Sequence, residues 1–162
     1  MRALVTGGSG YFGSFLVERL LEQGHDVRNF DLVPAPWHPP GVEWCEGDIR
    51  DAAAVQRACA GMDVVLHNVA QQPLARDREL FTSVNIGGTK NLLDAARGAD
   101  VGKVVFTSST SVFGIPSSNP VAEDAPLRPV EAYGRTKVVA EGLCRAAAAD
   151  GLDVTIIRPR TI

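Results

Sequence analysis

Cysteine is scarce in this chain: three among 162 residues, Cys45, Cys59 and Cys144. They are scattered and odd in number, which leaves neither a disulfide framework nor the paired spacing of a metal site. The expected location is therefore the reducing cytoplasm, with no metal. No apolar run is long enough to cross a bilayer. The opening Arg2-Ala-Leu-Val lacks the basic, apolar and small-residue regions of a leader, so no membrane contact is expected. Charge is also thin. A net charge of −3, with no block of like charges, provides no basic face for nucleic acid. Repeats of solenoid period and low-complexity tracts are absent too.

What is present is ordinary globular material, 45% apolar and 22% charged, in a length that suits one domain with a real core. Short apolar runs alternate with segments of helical period, which is the pattern of repeated βαβ units and a parallel sheet. Strands are expected at 2–6, 26–31, 42–46, 63–68, 103–108 and 153–158. Helices are expected at 11–23, 77–97 and 132–149. The first helix places Phe12, Phe15, Leu16, Leu20 and Leu21 on one face, and Gly24 closes it. The stretch PAPWHPPG, residues 34–41, is too proline-rich for either element, and residues 116–129 form a longer loop.

The glycines of VTGGSGYFGS follow the first strand and open the first helix, the context a dinucleotide-binding turn requires. Gly7 allows the tight turn, Gly10 a close backbone approach to a pyrophosphate, and Gly13 close packing of helix on strand. The helix N-terminus offers free N–H groups and a positive dipole end. Asp31 ends the second strand about 20 residues on, where a carboxylate accepts from ribose hydroxyls. No arginine follows it to meet a 2′-phosphate, so NAD is favoured over NADP. Turn glycines and a strand-end aspartate with no ligand are the bland alternative.

Tyr133 and Lys137, in YGRTK, stand four residues apart and so share a helix face. A nearby ammonium is expected to lower the tyrosine pKa from about 10 and make it a usable base for a substrate hydroxyl. FTSSTSVFG brings Ser108 or Ser109 to the carboxyl edge of the sheet, where open α/β sheets bind ligands. Its hydroxyl there can both donate to and accept from a reacting oxygen.

Taken together, TGGSGYFG, GDIRD, HNVA, VNIGGTKNLLDAA, FTSSTSVFG, YGRTK and RP, in that order, resemble the N-terminal part of the extended short-chain dehydrogenases/reductases of the NAD-dependent epimerase/dehydratase type. The resemblance implies an α/β fold: a doubly wound parallel Rossmann sheet in three α/β/α layers, filling residues 1–162. It implies that Ser109, Tyr133 and Lys137 are catalytic, with Tyr133 and Lys137 also reaching the cofactor. Gly7, Gly10, Tyr11, Phe12 and Gly13 would form the pyrophosphate loop, and Asp31 would hold the ribose. Asp48 and Ile49 would contact adenine, Val69 and Ala70 the cofactor at the end of strand four, and Pro159 the nicotinamide side. The implied partners are a small secondary alcohol (a sugar, nucleotide sugar or sterol-like molecule) and a second copy of the chain, paired through helices 77–97 and 132–149.

Some residues depart from the family pattern. Ser109-Thr110-Ser111 replaces the Thr-Asp-Glu of nucleotide-sugar dehydratases, which disfavours elimination of water. Thr161 stands where nucleotide-sugar enzymes carry asparagine, and looks more like the sterol-dehydrogenase branch. His67 and Asn85 are read as structural, and Trp37 and His38 as surface or adenine-bordering residues. The end at Arg160-Thr161-Ile162, straight after a strand, leads us to expect that the C-terminal substrate-binding portion is missing. The rival to an enzyme is a non-catalytic NAD(P)-binding sensor or scaffold, which would need only the glycine loop and Asp31.

Overall fold

The fold was analysed on a computed structural model, which describes residues 1–35, 39–71, 77–116 and 118–160. Trp37, His38 and Thr161 lie outside the described residues. Strands β1 (Arg2–Thr6), β2 (Asp26–Asp31), β3 (Val42–Glu46), β4 (Val64–His67), β5 (Lys103–Thr107) and β6 (Val154–Ile157) form one sheet in the order β3-β2-β1-β4-β5-β6. Every described pairing is parallel, with Thr6 opposite both Phe30 and His67. This is the Rossmann order, and the direction of winding reverses between β1 and β4. Among the described residues, no helix is long and apolar enough to cross a membrane.

Alternation along the strands builds a core on each face of the sheet. Leu4, Phe30, Val65, Val104 and Phe106 point to the face covered by α2 (Ala52–Cys59), α4 (Thr89–Gly98) and α5 (Ala132–Ala149). Ala3, Val5 and Val27 point to the other face, against α1 (Tyr11–Glu22). The stripe of α1 that packs there is Gly13, Val17 and Leu20. Phe15, expected inside, is 52% exposed and stands edge-on to the still more exposed Tyr11. The three-, four-residue spacing of Gly13, Val17 and Leu20 lets the helix backbone come close, and a phenyl group on that side would hold it off.

Two segments differ from the sequence expectation. The helix α2 was not anticipated. Asp51 caps it by accepting from the Ala53 and Ala54 amides, and it buries Ala54, Val55, Ala58 and Cys59. The expected single helix over 77–97 is a short α3 (Arg78–Leu80), a π-helical stretch Phe81–Gly88 and α4. Gly88 falls where a β-carbon would strike the Ile49 side chain. The widened turn also points Asn85 inward, and such turns often mark functional sites.

His67 ties the sheet to α4. Its Nδ1 pairs with the Thr6 hydroxyl at 2.7 Å and its Nε2 with that of Thr89 at 3.2 Å. The Thr89 hydroxyl donates to the Asn85 carbonyl, so its oxygen accepts from Nε2–H. Burial, reinforced by the Lys137 charge, pushes the His67 pKa down to about 3. Below pH 6.5 the unfolded chain therefore takes up a proton that the folded chain refuses, and stability falls. The urea midpoint is expected to drop between about pH 7 and about pH 5, and His67→Gln is expected to flatten that slope. A slope that survives the substitution assigns it elsewhere.

Candidate functional site

At the reversal of winding, the carboxyl ends of β1 and β4 diverge and a cleft of about 980 Å³ opens above them. That is within the size of small-molecule sites. Gly7, Gly10, Tyr11, Phe12, Gly13, Asp31, Asp48, Ile49, Val69, Ala70, Ser109, Tyr133 and Pro159 all line it. Of the residues assigned to catalysis or to the cofactor from the sequence, Lys137 alone does not.

The glycine loop is tight for identifiable reasons. Gly7 has φ +73°, its amide donates to the Phe30 carbonyl at 2.9 Å, and its carbonyl accepts from Gly10 N–H at 3.1 Å. A β-carbon on Gly13 would be driven into the Gly7 carbonyl. Gly10 is the N-cap of α1 and has no side chain to fill the space before the first turn. Asp31 is held in place by two amides: Ser9 N–H donates to Oδ2 at 3.1 Å and Leu32 N–H to Oδ1 at 2.7 Å. Each oxygen keeps lone-pair capacity for a diol.

Asp48 and Ile49 border the cleft from the turn after β3. The Asp48 carboxylate is clamped by Arg50, through Nε at 2.9 Å and Nη2 at 2.5 Å, which holds it below the usual carboxylate range. The Ile49 side chain is buried, 3% exposed, within the core.

At the other end the two serines divide. Ser108 is 2% exposed and its Oγ donates to the buried Glu141 at 2.7 Å. Ser109 Oγ accepts from Ser111 N–H at 3.1 Å, capping the 3-10 turn Thr110–Phe113, and its own hydrogen is left free to donate. Lys137 is 2% exposed and donates to the Thr107 carbonyl at 2.8 Å, with Nζ 5.7 Å from the centre of the Tyr133 ring. Burial brings its pKa down to about 8.

Tyr133 corrects the sequence expectation, because its pKa is raised rather than lowered. Burial comes first among the causes and the Glu131 carboxylate second, while the Lys137 ammonium is turned to a carbonyl. Glu131 lines the cleft and was missed in the sequence, although a carboxylate two residues before the tyrosine was a visible signal. Asn85 is structural as read: it accepts from Gln71 N–H at 2.7 Å and donates to the Thr136 hydroxyl at 3.0 Å.

A family model described as "NAD dependent epimerase/dehydratase family" matches residues 3–162. The chain belongs to that family. A protein of Sinorhizobium fredii without a described function is 52% identical over 161 residues, 99% of this chain and 41% of that protein. A 3 beta-hydroxysteroid dehydrogenase/Delta 5-4-isomerase of Mycobacterium tuberculosis is 40% identical over 175 residues, 99% and 47% of the respective chains. Among solved structures, a short-chain dehydrogenase/reductase superfamily protein from Agrobacterium tumefaciens with bound NAD superposes with a TM-score of 0.91 at 40% identity, covering 98% of this chain and 48% of that one. The chain thus spans less than half the length of each of these family members.

Lys90, Lys103 and Lys137 are the chain's three lysines. In a ¹³C-lysine NMR titration one resonance is expected to turn over near pH 8 and to vanish in Lys137→Met. A Lys137 resonance that stays unchanged past pH 9.5, about 1.5 pH units above that midpoint, would mean that the ammonium is not desolvated.

Proposed function

We propose that this chain is the NAD-binding part of an oxidoreductase or epimerase acting on a secondary alcohol. The observation that carries the proposal is the single cleft running from the Asp31 carboxylate, across the glycine loop, to Ser109 and Tyr133. The fit to a dinucleotide is physical. Gly7 and Gly13 allow a tight loop in which β-carbons would strike the Val69 and Gly7 backbone, and Gly10 opens a helix whose free amides favour phosphate. Asp31 suits the ribose diol and, with Leu32 and Val33 after it, has no cation for a 2′-phosphate. Tyr11 and Phe12 border the pyrophosphate, the backbone at Asp48 and Ile49 the adenine, and Val69, Ala70 and Pro159 the inner half of the cofactor.

Bound NAD supplies a hydride acceptor beside the substrate carbon. Tyr133 takes the hydroxyl proton, and Ser109 donates a hydrogen bond to the oxygen as charge develops there. Lys137, buried against the Thr107 carbonyl, supplies positive charge near the phenol and by the family resemblance would hold the cofactor ribose. Burial and the Glu131 carboxylate raise the Tyr133 pKa in this chain, and positive charge near the phenol would favour its ionised form. The intact Ser109, Tyr133 and Lys137 set favours an enzyme over a sensor, for which those three residues would be superfluous.

The remaining substrate wall is assigned to residues beyond this chain, consistent with the length of its relatives. On the α1 face of the sheet, Leu66 and Val105 stand side by side and half-buried, which suits covering by such a segment. Two copies pairing through α4 and α5 would likewise cover Val139, which is 47% exposed.

Calorimetric titration with NAD⁺ and NADP⁺ tests the cofactor assignment. NAD⁺ is expected to bind more tightly, and Asp31→Ala to cut that preference by about tenfold, roughly one charge-assisted hydrogen bond. Equal binding of both cofactors, unmoved by Asp31→Ala, sinks the ribose assignment. The 162 residues alone are expected to bind NAD⁺ weakly and turn over poorly; robust oxidation of a secondary alcohol by them overturns the proposed division of the site.

A further inference from the structure

Glu141 is fully buried, and an ionised carboxylate removed from water costs several kcal/mol unless its lone pairs are matched. Here all four are taken. Oε1 accepts from Ser108 Oγ at 2.7 Å and Arg158 Nε at 2.8 Å; Oε2 accepts from Arg145 Nη2 at 2.6 Å and Arg158 Nη2 at 2.8 Å. Those bonds hold the carboxyl below its ordinary range against the burial that would raise it. A saturated carboxylate that does not line the cleft has no capacity left for proton transfer.

Its place on the helix shows what it can do. Tyr133, Lys137 and Glu141 follow one another at four-residue intervals on one face of α5. Lys137 grips the Thr107 carbonyl and Glu141 grips the next side chain, Ser108. Two consecutive residues at the end of β5 are thus fastened to two consecutive rungs of α5, directly before Ser109. Arg158 extends the clamp: Nη1 donates to the Glu123 carbonyl at 2.8 Å, and the guanidinium lies 5.0 Å from the Phe113 ring centre. The backbone continues the same tie, with Ser108 N–H donating to Ile157 at 2.8 Å and Thr110 N–H to Pro159 at 3.1 Å.

We propose that Glu141 is a positioning residue, which by holding Ser108 sets the height of Ser109 against Tyr133 and Lys137 on α5. The proposal rests on the reading of those three residues as the reacting set. Apolar side chains of similar volume would stabilise such a core at least as well as a buried ion network. What the network adds is direction: a carboxylate accepts along fixed lines, so the strand end cannot slide along the helix. It also explains the division of the serines, both of which border the cleft: the Ser108 hydroxyl donates to the clamp, and the Ser109 hydroxyl accepts from Ser111.

Two substitutions separate the clamp from its charge. Ser108→Ala removes the bond and keeps the anion. Glu141→Gln keeps an acceptor for Ser108 and removes the anion. The readout is the ¹³C titration of Lys137, whose surroundings include the Thr107 carbonyl, the Phe106 and Tyr133 rings, His67, Cys144 and Glu141. With the clamp open, water reaches Nζ, and in Ser108→Ala the Lys137 midpoint is expected to rise by about half a pH unit or more. Glu141→Gln is expected to move it the other way, through loss of the nearby negative charge.

A Ser108→Ala chain that melts at lower temperature with the Lys137 titration unmoved overturns the proposal and reduces Glu141 to a structural ion pair. This arm decides the matter even where Glu141→Gln does not fold. NAD⁺ binding by the unsubstituted chain is measured in parallel. With that binding intact, an unmoved titration removes the clamp alone; its failure removes the reacting-set reading on which the clamp depends.

Discussion

The parallel pairing of β1 with β4 is the constraint on which the rest of the molecule depends. Thr6 lies opposite His67, so the turn after β1 and the turn after β4 leave the sheet side by side and in opposite senses. The cleft is the space between them. Gly7 can hold its positive φ there because a β-carbon, which would meet the Val69 amide, is absent. The imidazole of His67 then joins Thr6 on β1 to Thr89 on α4, and Asn85, one turn before Thr89, reaches both Gln71 and Thr136. A single strand pairing thus connects the glycine loop, the π-helical turn and the helix that carries Tyr133.

Burial and charge divide the work along α5. Tyr133 faces the cleft, and desolvation together with Glu131 keeps its proton on. One turn on, Lys137 is wrapped so closely that burial brings its pKa down to about 8, with a backbone carbonyl as its partner. A further turn on, Glu141 is buried yet charged, because two arginines and a serine fill its lone pairs. The three side chains share a face and a spacing and still have different chemistry, because the environment changes with depth.

Much of the fold was legible because it is written in local periods. The strands at 2–6, 26–31 and 42–46 and the helix at 132–149 were bounded as they stand, each being a run of one period between clear breaks. The short α2 was missed: eight residues, half of them alanine, carry little periodic signal, and only the Asp51 cap marked it. The π-helical stretch could not be anticipated either, since FTSVNIGG reads as continuous helix and its widening serves the distant Ile49, Gln71 and Thr136.

The sequence by itself determined the order of the elements, the glycine loop and its acidic strand end, and the four-residue spacing of Tyr133 and Lys137. Each of these is a relation among residues close in the chain, and so survives in a one-dimensional reading. The tertiary structure decided that Ser108 is spent on Glu141 while Ser109 faces the cleft, and that Asp48 is already engaged by Arg50. It also decided that Phe15 points outward and that Tyr133 holds its proton. Most of these outcomes depend on groups that meet only when strand ends and helices are packed together. Depth and partner, which govern the energy of a polar group, do not exist until they are.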